Sequence, residues 1–272
     1  MEEIARKHPD LGPRAAQAIA QLFAHVPIPP SELFQQIETK RDGVVPLWRD
    51  VPAGSFLMGS PEGEGHDNEH PYRNVEIPHP LRVAAVPVTH AQYLAFDPRH
   101  SVVGCPEEEV PERQRGSHPV AGVSWFEAAA FCRFLDRRVP GCAGAGLLTD
   151  PEWEYACRAG STTRYWSGDT KRDLARVGWY EENSQGRTHQ IGEKPANPWG
   201  LYDVHGNVWA WTSSLYAREE GEDAASGDRV IRGGSCRYGA DSARSACRNW
   251  LPARFRREDL GFRVVLPAPS RL

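Results

Sequence analysis

Apolar residues recur at helical spacing in the N-terminal stretch of the chain. Ala15, Ile19, Leu22, Phe23 and Val26 share one face, which predicts a helix, and Pro13 suits its first turn. Pro27-Ile28-Pro29-Pro30 stops it, and Ser31 caps a second short helix carrying Leu33, Phe34 and Ile37. Beyond residue 45 the pattern changes. Residues 51–60 read as a strand with a glycine turn on each side, and residues 74–77 and 81–88 read as strands. Thr89 caps a helix. Residues 118–123 read as another strand. Ser124, with Glu127 three residues later, makes a capping box. Ala128, Phe131, Cys132 and Leu135 form the buried stripe of the helix that follows. Thr149 caps a further helix with Pro151 in its first turn. The organisation is a helical preface over 1–45 and a main domain over 46–272.

The second half of the chain is loop-rich and pinned by aromatics. Tyr165-Trp166 and Trp179-Tyr180 anchor the segment from 164 to 196. Trp199, Tyr202, Trp209 and Trp211 then crowd into one short stretch, an aromatic knot whose turns come from Asn197, Gly200, Gly206 and Asn207. From Arg229 to Leu266 two strand-like ends enclose an irregular middle of Arg, Tyr, Trp, Phe, Asp, Glu and Cys. That is the pattern of a display surface held by a scaffold.

Composition narrows the function. With 40% hydrophobic and 25% charged residues the chain is ordinary globular material. Its formal net charge of -4 argues against a dedicated nucleic-acid binder. No apolar run approaches the length of a membrane span. The N-terminus carries no secretory signal, so cytoplasmic is the default expectation, with a role at the cell surface left open. The six cysteines are scattered, without a Cys-x-x-Cys pair, and read as small apolar residues. His66, Asp67, Glu69 and His70 in a polar loop have no spacing that fixes a metal site. The run from Glu107 to Glu112 reads as a solvated acidic loop. No Ser/His/Asp order and no phosphate-binding glycine loop is discernible.

The segments 51–60, 87–96, 118–135, 147–160, 197–211, 229–235 and 259–265 resemble, in order, the formylglycine-generating enzyme (sulfatase-modifying factor) domain, a variant of the C-type lectin fold. The resemblance implies a compact, loop-rich α+β domain. A fold of this kind does not fix function. In the oxidases of this family two copper-binding cysteines follow the Gly-Gly-Ser turn. Here those positions are Tyr238 and Ala243, and neither offers the thiolate that Cu(I) needs. The related iron sulfoxide synthases need a helical bundle with iron-binding histidines. The preface offers only His8 and His25. The family's calcium positions fall on Asp203 and the backbone carbonyls of Gly206 and Val208, but its glutamate falls on Ala210, a serious loss for a hard-cation site. No cofactor is expected, with calcium at these positions left open.

The C-terminal segment is also similar to the variable proteins of diversity-generating retroelements. The fixed skeleton would be Arg232-Gly233-Gly234-Ser235, Arg244-Ser245-Ala246, Arg248 and Gly261-Phe262-Arg263, with a variable region of about 236–260. Cys236 and Cys247 replace framework aromatics, which fits free substitution. The resemblance implies a non-catalytic, receptor-like protein. Its ligand-binding residues are expected to be Cys236, Arg237, Tyr238, Asp241, Ser242, Cys247, Asn249, Trp250, Leu251, Arg254, Phe255, Arg257 and Glu258. Tyr, Trp and Arg are the usual anchors of interfaces. The partner would be a protein or other macromolecule, not a nucleic acid. The alternatives are an oxidase of the same fold and a regulatory module acting through the helical preface.

Overall fold

The computed structural model describes residues 44–101, 116–216 and 227–267. The two helices expected before residue 45, the run from Glu107 to Glu112, and Cys105 lie outside the described residues. The run expected as one strand over 51–60 is two elements, β1 (Trp48–Val51) and β2 (Gly54–Met58), broken at Pro52-Ala53. β2 pairs with β3 (Arg73–Ile77) as a hairpin across the polar loop. β4 (Leu81–Ala84) follows. α1 (His90–Leu94) is opened by Thr89 with Gln92 completing a capping box.

The 118–123 segment is not a strand. Pro119 forms a lone bridge to Thr89, and Val120 donates to the Val88 carbonyl at 2.8 Å. Two flanking caps, at Thr89 and Ser124, leave no room for a ladder. α2 (Trp125–Arg138) starts at the expected box: Ser124 N–H donates to Glu127 Oε2 at 2.8 Å. Its stripe of Ala128, Phe131, Cys132 and Leu135 is fully buried. Each large apolar side chain removed from water in this way contributes roughly 1.5–3 kcal/mol. β5 (Gly146–Leu147) leads to α3 (Asp150–Arg158), capped by Thr149. Two short helices, α4 (Lys171–Val177) and α5 (Glu181–Ser184), precede the aromatic knot.

Then come β6 (Trp209–Leu215), β7 (Asp228–Arg232), β8 (Arg248–Pro252), β9 (Leu260–Phe262) and β10 (Val264–Pro267). The strand-like run closing the chain therefore serves two sheets. β9 pairs parallel with β6 in the sheet β8-β7-β6-β9, and β10 joins the sheet β1-β4-β10-β5. Arg263 sits at the crossover, buried, donating to the Ala84 carbonyl at 2.7 Å and to the Tyr202 carbonyl. Gly261 cannot carry a side chain, because a Cβ there would lie 2.2 Å from the Val120 carbonyl oxygen. α2 covers this junction. Its stripe joins Trp209, Trp211, Leu260 and Phe262 in one core cluster.

β8 is an edge strand, and three of its backbone positions are guarded. Asn68 Nδ2 donates to the Arg248 carbonyl at 3.0 Å, and Arg248 Nη1 returns to the Asn68 carbonyl at 3.0 Å. The Trp250 N–H is held by Asn249 Oδ1 at 2.8 Å, and Pro252 has no N–H. Among the described residues no helix is long and apolar enough to cross a membrane.

The end of β7 holds the most buried charge. Arg232 is fully buried. Its Nε donates to Asp150 Oδ1 at 2.5 Å and its Nη2 to Glu154 Oε2 at 2.7 Å. Its Nη1 donates to the carbonyls of Ala246 at 2.9 Å and Cys247 at 3.0 Å. Removing one member of such a pair strands the other charges, at a cost of about 3–5 kcal/mol. Replacing Arg232 with methionine should therefore lower Tm by about 10 °C, taking roughly 2–4 °C per kcal/mol for a chain near this size. Scanning calorimetry checks this, and a shift of only a degree or two would mean that the guanidinium is not the tie.

Candidate functional site

The segment from Ser235 to Asp259 leaves and re-enters the sheet through two fixed ends. Gly233 and Gly234 turn the chain at φ 97° and 71°, and a Cβ on Gly234 would lie 2.8 Å from the Ser242 carbonyl oxygen. The loop from 236 to 243 is thereby folded flat on itself. At the far end Asp259 is buried. It accepts from Ser235 Oγ at 2.6 Å and from Arg257 Nη2 at 2.8 Å. One carboxylate thus joins the beginning of the first loop to the end of the second. Arg257 in turn lies over the Tyr238 ring, 5.0 Å from its centroid. Tyr238 meets Trp209 edge-on, with centroids 5.8 Å apart.

These loops form one wall of a cleft of about 830 Å³. Arg237, Tyr238, Arg256, Arg257, Glu258 and Asp259 line that wall. Asp97, Arg99, His100 and Ser101, just past α1, line the other, with Gly122 and Glu127 between. The charged groups of the first wall are paired. Arg237 meets Glu258 at 2.5 Å. Arg256 grips Glu127 with Nε and Nη2, both at 2.8 Å. Burial pushes the Glu127 carboxyl up, but Arg256 and the Ser124 cap outweigh it and hold it at about 2. The capping-box glutamate expected from sequence therefore has a second task at the cleft.

The structure divides the residues expected to bind ligand. Arg237, Tyr238, Arg257 and Glu258 meet at the cleft. Arg254 and Phe255 are exposed on a loop, while Asp241 is exposed and Ser242 half-buried in a short 3-10 turn. Asn249, Trp250 and Leu251 lie on β8, not on a loop. Trp250 stacks on Tyr216 at 4.0 Å, and Leu251 packs toward the core. Cys236 and Cys247 are not on the surface. Both are buried, and burial pushes each thiol up to about 12. Cys247 joins the main core cluster, and the Cys236 carbonyl accepts from Ser184 Oγ at 2.5 Å. Cysteine at these two positions is core packing, which removes them as evidence of free substitution.

Tyr238 and Ala243, at the positions of the family's cysteines, occupy different surroundings. Tyr238 faces the cleft, whereas Ala243 is buried in a cluster with Tyr165, Leu174 and Tyr180. His205 fixes that cluster. Its Nδ1 lies 2.7 Å from the Ala243 carbonyl and its Nε2 accepts from the Trp166 N–H at 3.0 Å. That pattern requires the proton on Nδ1. Cys157 Sγ lies 3.8 Å from the same ring, yet burial holds the thiol up at about 12 and the imidazole down at about 4. The pair is structural and supplies no nucleophile. His205 falls within the stretch of the aromatic knot, where nothing local in the sequence marks this role.

The calcium position is poorly furnished. Asp203 is buried, and its Oδ2 accepts from the Gly192 N–H at 2.8 Å. Burial raises its carboxyl to about 6, against the pull of that N–H and of Arg263. Ala210 offers a methyl where a carboxylate is needed. The residues do not fit a hard dication. The loop with His66 and His70 is likewise committed: Glu69 is bound by Arg244 at 2.6 and 2.7 Å. Adding calcium or a chelator should leave Tm unchanged, and differential scanning fluorimetry checks it.

Two buried histidines predict an acid response. Burial lowers both His118 and His205 from 6.5 to about 4. The unfolded chain binds those protons first, so stability is full above pH 6.5 and falls as pH drops toward 4. Asp203, raised from 3.8 to about 6, acts in the opposite sense and offsets part of the loss. The denaturant midpoint should fall between pH 6.5 and 4.5, a window above the ordinary carboxylates. Urea titrations at constant ionic strength measure it, and a flat midpoint would contradict the neutral buried imidazoles.

Comparison with known proteins bears on the family and the fold. The model of the sulfatase-modifying factor enzyme 1-like domain matches residues 34–268. The inactive C-alpha-formylglycine-generating enzyme 2 of Mus musculus is 28% identical over 247 residues, covering 70% of this chain and 74% of that protein. The formylglycine-generating enzyme of Streptomyces coelicolor is 28% identical over 252 residues, covering 68% and 77%. Among solved structures, Treponema denticola variable protein 1 superposes with a TM-score of 0.68 at 23% identity, covering 81% of this chain and 94% of that one. At that identity the likeness is one of fold.

Proposed function

This chain belongs to the sulfatase-modifying factor enzyme 1-like family, and on that premise we propose that it is a non-catalytic, ligand-binding member that displays a diversified C-terminal surface to a macromolecular partner. One observation carries the reading. The two positions that would hold the oxidase's thiolates are a tyrosine in the cleft and an alanine in the core. The five cysteines among the described residues are free and buried, so none stands where a substrate thiol could reach it.

The division between framework and display supports the diversified surface. Arg232, Ser235, Arg244, Ser245, Ala246 and Arg263 are buried, and most of them donate to backbone carbonyls or buried carboxylates. Arg237, Asp241, Asn249, Arg254, Phe255 and Glu258 are exposed between them. A scaffold of this kind lets recognition residues change without loss of the core.

Deep sequencing of the gene across a population tests the reading. Substitutions should concentrate at the exposed positions of 237–258 and spare the buried skeleton, Cys236 and Cys247 included. A uniform spread would remove the diversification. A sulfatase-type cysteine peptide incubated with the protein and copper should be recovered unchanged by mass spectrometry, and its conversion to formylglycine would make the protein an oxidase.

A further inference from the structure

We infer that the cleft takes a peptide segment carrying an acidic and a basic side chain within a few residues of each other, an assignment that rests on the binding reading above. The cleft, at about 830 Å³, has the size of a small-ligand site. Its lining is different in kind. Such sites are mostly apolar, whereas here Tyr238 is the single large hydrophobic side chain in the wall. An apolar ligand would have to strip water from charged groups and give nothing back.

The charges point to a partner of both signs. Arg99, Arg237, Arg256 and Arg257 face Asp97, Glu127, Glu258 and Asp259. Four cations balance four anions, so the cleft has no net field to gather a polyanion or a polycation. Three of the arginines already hold a carboxylate. A ligand bearing one charge could take Arg237 only by leaving Glu258 without its partner, or the reverse. A ligand bearing both charges replaces one intramolecular pair with two intermolecular pairs and strands nothing.

The pairs differ in how readily they exchange. Arg237 and Glu258 are 46% and 55% exposed, and Arg256 and Glu127 are 55% and 37% exposed. Exposed pairs contribute little to stability, so opening them costs little. Arg257–Asp259 is the opposite case. The Asp259 carboxylate is almost fully buried and also holds Ser235, so this pair keeps the loops in place while the rim pairs change partners. Across the cleft Arg99 has no ion pair among the described residues and is exposed. Asp97 Oδ1 accepts from the Arg99 N–H at 3.1 Å. That wall offers a second cation and anion side by side.

Selection of short random peptides displayed on phage against the intact chain tests this. Enriched sequences should each contain at least one Asp or Glu close to a Lys or Arg. A synthetic copy should lose about tenfold in affinity with Arg99→Glu and again with Glu258→Lys, two exposed substitutions that leave the fold intact. Enrichment of purely acidic or purely basic peptides would overturn the assignment. So would aromatic peptides lost with Trp250→Ala and kept with Glu258→Lys, which would move recognition to β8 and leave the binding reading standing. Failure to enrich any peptide would overturn the ligand class alone, because the population sequencing tests the binding reading separately.

Discussion

A guanidinium with no access to water organises this domain. Arg232 ends β7 inside the protein, where an unpaired charge is among the most costly things a fold can hold. It is compensated from several directions. α3 supplies Asp150 and Glu154, and the returning chain supplies the carbonyls of residues 245–247. Glu154 also accepts from the Gly59 N–H at 2.9 Å and from Arg158, whose Nη2 reaches the Gly59 carbonyl at 2.9 Å. The turn that follows β2, a helix in the middle of the domain and a loop near its end are thus tied through one set of charges. A chain with this much irregular backbone has few regular ladders to fix its loops, and the ionic cluster fixes them instead.

The same logic separates what the C-terminal segment must keep from what it can change. Residues that point inward are bound by charges and carbonyls, while their neighbours point outward and meet mostly each other. At the cleft the two classes touch. Asp259 belongs to the framework, Arg257 lies between, and Arg237 and Glu258 belong to the surface. The geometry of the rim is set from below, and its chemistry is set by residues that the fold does not need.

Much of this was legible in the sequence wherever the determinant was local. The capping boxes at Thr89, Ser124 and Thr149, the stripe of α2 and the turns of the aromatic knot all depend on residues a few positions apart. What escaped depends on distant pairs. Arg244 and Glu69 are 175 positions apart, and no periodicity connects them. The closing run reads as one strand because both halves are apolar. Only the buried Arg263 divides it between two sheets. Cys236 and Cys247 looked like surface substitutions because their neighbours are polar and irregular, yet both turn inward. The far wall of the cleft, Asp97 to Ser101, follows a short helix and carries no motif.

The guarded positions on the β8 edge have a consequence for how a surface like this can vary. Loops rich in arginine and aromatic side chains are adhesive, and beside an open strand each new combination would risk seeding sheet growth between copies. Here Asn68, Asn249 and Pro252 leave the edge without a free template at Arg248, Trp250 and the residue that ends the strand. At those positions contact with another molecule falls to side chains, whose specificity is set by their identity, and not to backbone, which would accept almost any extended chain. The guard lies partly outside the variable segment, on the loop that carries Asn68, so that part of it stays constant while its neighbours change.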